Sequence, residues 1–173
     1  FAEFLRLPAI NVAEGVYLLP KGMSFEEATF IEPLACVLRS QRQAEYKKGQ
    51  TMLVIGSGIS GLLHIQLARS LSFGRIIATD INDHRLKMAS RFGADLVMRA
   101  DDNVLQKIRD FNENRLADLV ILCAGAKSAI EQAFKSVERG GTILIFASTE
   151  EGLFFQLPIN EFFWKNELTL KSS

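Results

Sequence analysis

Three glycines lie at the spacing that brings a backbone loop against a phosphate group. Gly56, Gly58 and Gly61 form a Gly-x-Gly-x-x-Gly pattern between a short apolar run and an amphipathic helical pattern. In this context the first glycine permits a tight turn, the second lets the backbone approach a pyrophosphate, and the third allows close packing of helix on strand. The N–H groups of Ile59 and Ser60 would point at the phosphates from the positive end of the helix. The pattern predicts a dinucleotide-binding loop.

A carboxylate follows this loop at the distance expected of a ribose-binding acid. Asp80 ends a predicted strand about 20 residues after Gly61, which is the usual separation. It can accept hydrogen bonds from both ribose hydroxyls and would repel a 2′-phosphate, so we predict NAD rather than NADP as the ligand. Two questions stay open. Asp80 could instead cap the helix predicted over 82–92, and Arg85 could contact the ribose, tolerate a phosphate or simply be solvated.

Two segments of small residues follow the fourth and fifth predicted strands. They are Cys123-Ala124-Gly125-Ala126 and Phe146-Ala147-Ser148. Ligands of open parallel sheets bind beyond the carboxyl ends of the strands, so both segments are expected to line the adenine and nicotinamide pockets. The alternative is that they are ordinary strand-to-loop turns.

Few other residues have reactive side chains. His64 lies inside the helix after the glycine loop and His84 at a polar helix start, so structural roles are expected for both. Two cysteines, Cys36 and Cys123, cannot build a disulfide framework or a four-thiolate zinc site. Both lie among apolar residues, as buried thiols do in a reducing compartment, which favours a cytoplasmic location.

Composition excludes some partners. The chain has 173 residues, 48% of them hydrophobic, with 20 Lys and Arg against 20 Asp and Glu. A balanced charge provides no field that would attract nucleic acid or an anionic membrane. No apolar run is long enough to span a bilayer. We therefore expect a small-molecule ligand.

Strand and helix patterns alternate from Thr51 onwards. Short apolar strands are predicted at 51–55, 75–79, 96–98, 118–123 and 142–146, with helices between them and a Gly140-Gly141 turn before the fifth strand. This alternation predicts an α/β fold, a parallel sheet with helices on both faces. Together with the glycine loop and Asp80 it predicts a Rossmann doubly wound sheet in the order 3-2-1-4-5-6. In the tail, 154–157 is predicted as an edge strand, Pro158 as the start of a helical turn and 167–171 as a last strand.

The first 50 residues have a different pattern. Extended segments are predicted at 4–7 and 15–19, Ser24 and Glu27 form a capping box, and an apolar helix follows Pro33 to about Gln43. The chain opens and stops in mid-pattern, which suggests a piece of a longer protein.

The motifs occur together in the order of a known family. Phe1-Ala2-Glu3-Phe4, Leu18-Leu19-Pro20, Glu26-Glu27-Ala28, Ile31-Glu32-Pro33-Leu34-Ala35-Cys36, the glycine loop, Phe92-Gly93-Ala94-Asp95 and Arg139-Gly140-Gly141-Thr142 resemble the zinc-dependent medium-chain alcohol dehydrogenases. The Glu-Pro-Leu-Ala run looks closest to the sorbitol and threonine dehydrogenase branch. The resemblance covers essentially the whole chain but about half of a typical member.

This resemblance implies a function, cofactors and a domain division. In such enzymes zinc polarises an alcohol or polyol oxygen while hydride passes to NAD. Residues 1–40 would be a remnant of the catalytic domain with a connecting helix, and 41–173 the NAD-binding domain. Glu32 stands where the family places a residue able to bind the zinc.

The chain also departs from the family pattern. The Cys and the His-Glu pair that are the family's main zinc ligands are not in this sequence, and one carboxylate cannot hold a catalytic zinc. We therefore expect this fragment to bind NAD without catalysing the reaction. The alternatives are an NAD-sensing regulatory Rossmann module, which normally begins almost at the first strand, and a methyltransferase, whose loop usually lacks the third glycine.

Family members commonly pair through an edge of the sheet. The segment 152–157 is apolar and strand-like, which makes an uncovered edge prone to association. A homo-oligomer through the region near 153–157 is therefore predicted.

Overall fold

A single parallel sheet organises the carboxyl-terminal part of the chain. The computed structural model describes residues 2–173. Its six strands follow the order β3-β2-β1-β4-β5-β6. They are β1 (Met52–Ile55), β2 (Ile76–Asp80), β3 (Leu96–Arg99), β4 (Ala117–Leu122), β5 (Val137–Ile145) and β6 (Thr169–Ser172). The predicted Rossmann fold and strand order are confirmed.

The central strands are buried on both faces. Every residue of β1 and β2 is buried, as expected for strands covered by helices on both sides. β1 pairs in parallel with β2 and with β4, so Ile55 lies beside Thr79 on one side and Leu122 on the other. The order of pairing brings the carboxyl ends of β1, β2 and β4 together.

Helices cover both faces of the sheet. They are α3 (Ile31–Gln43), α4 (Ile59–Ser70), α5 (Asp83–Arg91), α6 (Val104–Phe111) and α7 (Lys127–Ser136). Apolar residues of α4 and α5 pack with one face of the central strands, and those of α6 and α7 pack with the other. None of the helices among residues 2–173 is long and apolar enough to cross a membrane.

The segment up to Glu32 is a separate compact unit, and the second unit is Pro33–Ser173. The first unit contains α1 (Ala9–Gly15) and α2 (Phe25–Ala28). The capping box is confirmed, because the Ser24 and Glu27 side chains each accept a hydrogen bond from the other's backbone N–H. Helix α1 was not predicted, and Gly15 belongs to it rather than to an extended segment.

Two predictions near the carboxyl terminus are corrected by the structure. Residues 154–157 form no strand. Phe155 and Leu157 pack against the core without joining the sheet, and the Phe155 ring stacks on Phe134. The last strand predicted for 167–171 is confirmed as β6, and it forms one edge of the sheet. A π-helix (Asn160–Lys165) follows Pro158. The Gly140-Gly141 turn lies inside β5, where the pairing with β4 changes register and Gly140 has a φ of +72°.

Candidate functional site

A cavity of about 560 Å³ lies beyond the carboxyl ends of β1, β2 and β4. This is the position at which open parallel sheets bind their ligands. The cavity is lined by Ile55, Gly56, Gly58, Ile59, Ser60, Gly61, Thr79, Asp80, Ile81, Arg85, Ala100, Cys123, Ala124, Ala126, Ser128, Ala129 and Gln132.

Each glycine of the loop meets a different steric condition. Gly56 has a φ of +93°, and a Cβ there would come within 3.1 Å of Cys123 and Ala124. A Cβ on Gly61 would overlap the carbonyl oxygen of Gly56, so α4 can start against the loop only without a side chain. A Cβ on Gly58 would meet nothing within 4 Å. The loop is therefore closely packed at Gly56 and Gly61 and open towards the cavity at Gly58.

The first turn of α4 presents backbone donors to this cavity. Gly58 is its N-cap and provides no side-chain acceptor. Ile59, Ser60 and Gly61, the first three helical residues, line the cavity. The first N–H groups of a helix have no acceptor within the helix and carry a partial positive charge, which suits a bound phosphate. These features fit the pyrophosphate of a dinucleotide.

The Asp80 carboxylate holds the loop in place from the end of β2. Asp80 is only 5% exposed. Its Oδ2 accepts a hydrogen bond from the Ser57 N–H at 2.7 Å, and its Oδ1 accepts one from the Asn82 N–H at 2.9 Å. The N-cap of α5 is Asn82, whose side chain accepts from the Arg85 N–H, so Asp80 is not the cap of this helix. Carboxylate oxygens have further acceptor capacity for ribose hydroxyls.

Comparison with known proteins places this site in a family. The family model described as zinc-binding dehydrogenase matches residues 60–173, which include most of the cavity lining. The chain belongs to the zinc-binding dehydrogenase family.

Relatives in this family are longer than the chain. Sorbitol dehydrogenase of Bacillus subtilis (strain 168) is 29% identical over 179 residues, covering 97% of this chain and 50% of that protein. Alcohol dehydrogenase TADH from Thermus sp. ATN1 superposes with a TM-score of 0.81 at 26% identity, covering 90% of this chain and 45% of that one. A zinc-binding dehydrogenase of Sinorhizobium meliloti 1021 bound to NADP gives a TM-score of 0.77 at 27% identity, covering 83% and 43%. The chain thus spans about half the length of these relatives.

Most of the residues predicted to bind the cofactor line this cavity. Gly125, Phe146 and Ala147 lie outside the lining. Gly125 packs against the Ser148 carbonyl, which a Cβ would overlap. The N–H groups of Phe146 and Ala147 both donate to the Leu122 carbonyl at the end of β4. These three residues therefore lie at the carboxyl ends of β4 and β5, beside the cavity, and their role in binding stays a prediction.

The Cys123 thiol is present in the lining but is not reactive. Burial raises its pKa to about 12, so the thiol stays protonated at neutral pH. It contributes a small apolar surface at the end of β4.

Seven lining residues were not predicted from the sequence. They are Ile55, Thr79, Ile81, Ala100, Ser128, Ala129 and Gln132. Ile81 follows Asp80 directly and Ala100 follows β3 directly, so the rule that ligands bind beyond strand ends could have found both. Gln132 lies within α7, and no local pattern marks its position as facing the cavity.

Glu32 lies in the first turn of α3 and is exposed. Among residues 2–173, no group of three or more His, Cys, Asp or Glu side chains lies close enough to hold a metal ion. A catalytic zinc needs three protein ligands, so the donors described do not form such a site.

His64 lies away from the cavity in a buried polar contact. Its side chain is fully buried on α4, its Nδ1 is 3.2 Å from Gln41 Nε2, and its ring packs edge-on against Phe146. Burial lowers the pKa of His64 to about 3. The imidazole is therefore neutral in the folded chain at neutral and mildly acidic pH.

This buried histidine predicts a loss of stability in acid. Between the unfolded pKa near 6.5 and the folded pKa of about 3, the unfolded chain binds a proton that the folded chain does not. The His64 contribution is thus fully present above pH 6.5 and falls by about 1.4 kcal/mol per pH unit below it. Urea denaturation between pH 7.5 and 5 measures this slope.

The second histidine provides the matched control for this measurement. His84 is exposed, so His84→Gln should keep the wild-type slope of unfolding free energy against pH. In His64→Leu this slope should decrease by the amount that one proton contributes, about 1.4 kcal/mol per pH unit. Equal slopes for His64→Leu and the wild type would show that another group causes the acid sensitivity.

Proposed function

We propose that this chain is the NAD-binding part of a zinc-dependent oxidoreductase that transfers hydride between NAD and a polyol or secondary alcohol. The observation that carries the proposal is the Asp80 carboxylate, which lines the same cavity as the open Gly58 and the uncapped start of α4. A ribose acceptor beside a pyrophosphate site is the requirement for a dinucleotide. Polyol and alcohol substrates are proposed because the relatives include a sorbitol dehydrogenase and an alcohol dehydrogenase.

The preference for NAD over NADP rests on charge. A buried carboxylate at the ribose would repel a 2′-phosphate, and Asp80 is almost fully buried. Arg85 acts in the other direction, because its Nη1 lies 3.8 Å from Asp80 Oδ2 and its side chain is exposed. One relative binds NADP. We infer that Asp80, held by two backbone N–H groups, dominates and that NADPH binds more weakly.

Zinc and the dinucleotide would have different roles in the proposed reaction. Zinc, when bound in the whole protein, would supply Lewis-acid polarisation of the alcohol oxygen. This chain would bind and orient the dinucleotide through the glycine loop and Asp80. Glu32 remains a proposed contributor to the metal site. The fragment itself is proposed to bind NAD without turning over alcohol.

Ligand-induced thermal shift tests this proposal. NADH should raise the unfolding temperature by several degrees at saturating concentration, because a ligand at 100 times its Kd stabilises by about 2.7 kcal/mol. NADPH should raise it less, and S-adenosylmethionine should leave it unchanged. Stabilisation by the methyl donor alone, or by none of the three, would overturn the proposal. A larger shift with NADPH than with NADH would overturn only the NAD preference.

A homo-oligomer is proposed through an edge of the sheet rather than through residues 153–157. The outer strand β6 is exposed at three of its four residues, and its outer backbone groups lack a neighbouring strand within residues 2–173. Such an edge is suited to pairing with a second copy. A cytoplasmic location and a domain boundary near residue 40 stay proposals based on the sequence.

A further inference from the structure

Three residues from three different elements meet at one wall of the cavity. The Thr79 hydroxyl at the end of β2 donates to Gln132 Oε1 at 2.9 Å. Gln132 Nε2 on α7 donates to the Ala100 carbonyl, just after β3, at 3.1 Å. All three residues line the cavity. Gln132 is therefore a polar side chain built into the wall of the cavity and fixed by two other elements.

These two hydrogen bonds fix which way the Gln132 amide faces. A backbone carbonyl can only accept, so the Ala100 oxygen must face Nε2 rather than Oε1. The Thr79 hydroxyl can adapt to either atom and donates to the oxygen that remains. The amide cannot exchange its oxygen and nitrogen without losing the bond to Ala100. Donor and acceptor positions at this wall are consequently defined before any ligand binds.

Gln132 keeps hydrogen-bonding capacity after these contacts. An amide side chain has two N–H groups and two lone pairs on its oxygen, and one of each is used by Ala100 and Thr79. One N–H and one lone pair remain. The neighbouring lining residues Ile81, Ala126 and Ala129 are apolar and provide surfaces against which a flat ring can pack.

We propose that Gln132 selects adenine by bonding its amino edge, an inference that rests on the proposed binding of NAD. The exocyclic amino group of adenine donates and the adjacent ring nitrogen accepts, which matches the remaining lone pair and N–H of Gln132. Hypoxanthine has an oxygen in place of the amino group. That oxygen would face the fixed Oε1 of Gln132, so two acceptors would oppose each other without a proton between them.

Isothermal titration of the 173-residue chain with NADH and with reduced nicotinamide hypoxanthine dinucleotide tests this selectivity. The wild type should bind NADH about 10-fold more tightly, as expected when buried polar groups are left unpaired by the wrong ligand. In Gln132→Leu the ratio of the two affinities should fall to about 1, mainly through weaker binding of NADH.

Controls separate base selectivity from general damage to the site. Gln106→Leu replaces an exposed glutamine whose amide bonds to Asp110 on α6, and it should keep the 10-fold ratio. Reduced 3-acetylpyridine adenine dinucleotide differs from NADH at the opposite end of the molecule. Gln132→Leu should therefore weaken its binding by the same factor as that of NADH.

A second variant keeps the proposal testable if Gln132→Leu does not fold. Thr79→Val leaves Gln132 in place but removes the hydroxyl that holds its oxygen, so the ratio should fall part of the way. Equal binding of both dinucleotides by the wild type would overturn the role of Gln132 while leaving NAD binding intact. An unchanged ratio in a folded Gln132→Leu would do the same. Failure of the wild type to bind NADH would overturn the proposed function itself.

Discussion

Asp80→Ala is expected to weaken NADH binding at least about 100-fold and to lower the free energy of unfolding by about 3 kcal/mol. Two effects of one carboxylate are lost together. The ribose loses its acceptor, and the buried N–H of Ser57 and the N–H of Asn82 lose theirs. Hydrogen bonds to a charged group contribute about 1.5–3 kcal/mol each. Titration of NADH and urea denaturation of the same protein measure the two losses.

The dinucleotide preference should change in the same variant. Without the carboxylate, the repulsion of a 2′-phosphate disappears. The Arg85 guanidinium, whose Nη1 lies 3.8 Å from Asp80 Oδ2 in the wild type, also loses its acidic neighbour. The difference between NADH and NADPH affinities should narrow. Asp83→Ala is the matched control, because Asp83 is the first residue of α5, is exposed and forms an ion pair with Arg99 at the surface. If Asp80→Ala kept the wild-type preference, the role given to Asp80 would be wrong.

Alanine at Gly61 and alanine at Gly58 should damage the protein in different ways. In Gly61→Ala the new Cβ would overlap the Gly56 carbonyl oxygen, so the start of α4 must move away from the loop. We expect a loss of about 3 kcal/mol in stability, at the upper end for overpacking, together with loss of NADH binding. Urea denaturation measures the loss of stability, and titration with NADH measures the loss of binding.

Gly58→Ala is the matched variant, because its Cβ meets nothing in the folded chain. Gly58 has a φ of −71°, which alanine adopts without strain, and no atom lies within 4 Å of the added carbon. Stability should stay within about 0.5 kcal/mol of the wild type. NADH binding should fall at least about 10-fold, since the methyl group occupies the space through which a pyrophosphate approaches the backbone. Wild-type affinity in Gly58→Ala would show that the phosphates bind elsewhere.

The sheet was largely predictable from the sequence because its signals are local. Strand β1 is an unbroken apolar run, β2 and β4 are mostly apolar, and helix α6 has a clear amphipathic periodicity. The strand order followed from recognising the glycine loop and its acid, not from the strands themselves. The strand prediction was wrong where alternating apolar residues pack on the core and do not pair with a neighbouring strand. Residues 154–157 alternate like a strand, yet Phe155 and Leu157 pack on the core without a ladder.

The site divides in the same way. Gly56, Gly58, Gly61 and Asp80 could be assigned from spacing alone, because a phosphate loop needs its glycines at set positions within six residues. The hydrogen bond from the Ser57 N–H to Asp80 could not be predicted, since a sequence does not show which backbone groups a carboxylate reaches.

The Gln132 contact depends entirely on the fold. Thr79, Ala100 and Gln132 are far apart in the chain and belong to β2, the turn after β3 and α7. They meet because β2 and β3 are neighbours in the sheet and α7 packs on the face of the sheet that contains Ile55 and Ile77. Residue spacing thus predicts a dinucleotide-binding loop and its acid. The packing of distant elements determines the wall of the cavity, because the Gln132 amide is fixed only when Thr79 bonds to its oxygen and Ala100 to its nitrogen.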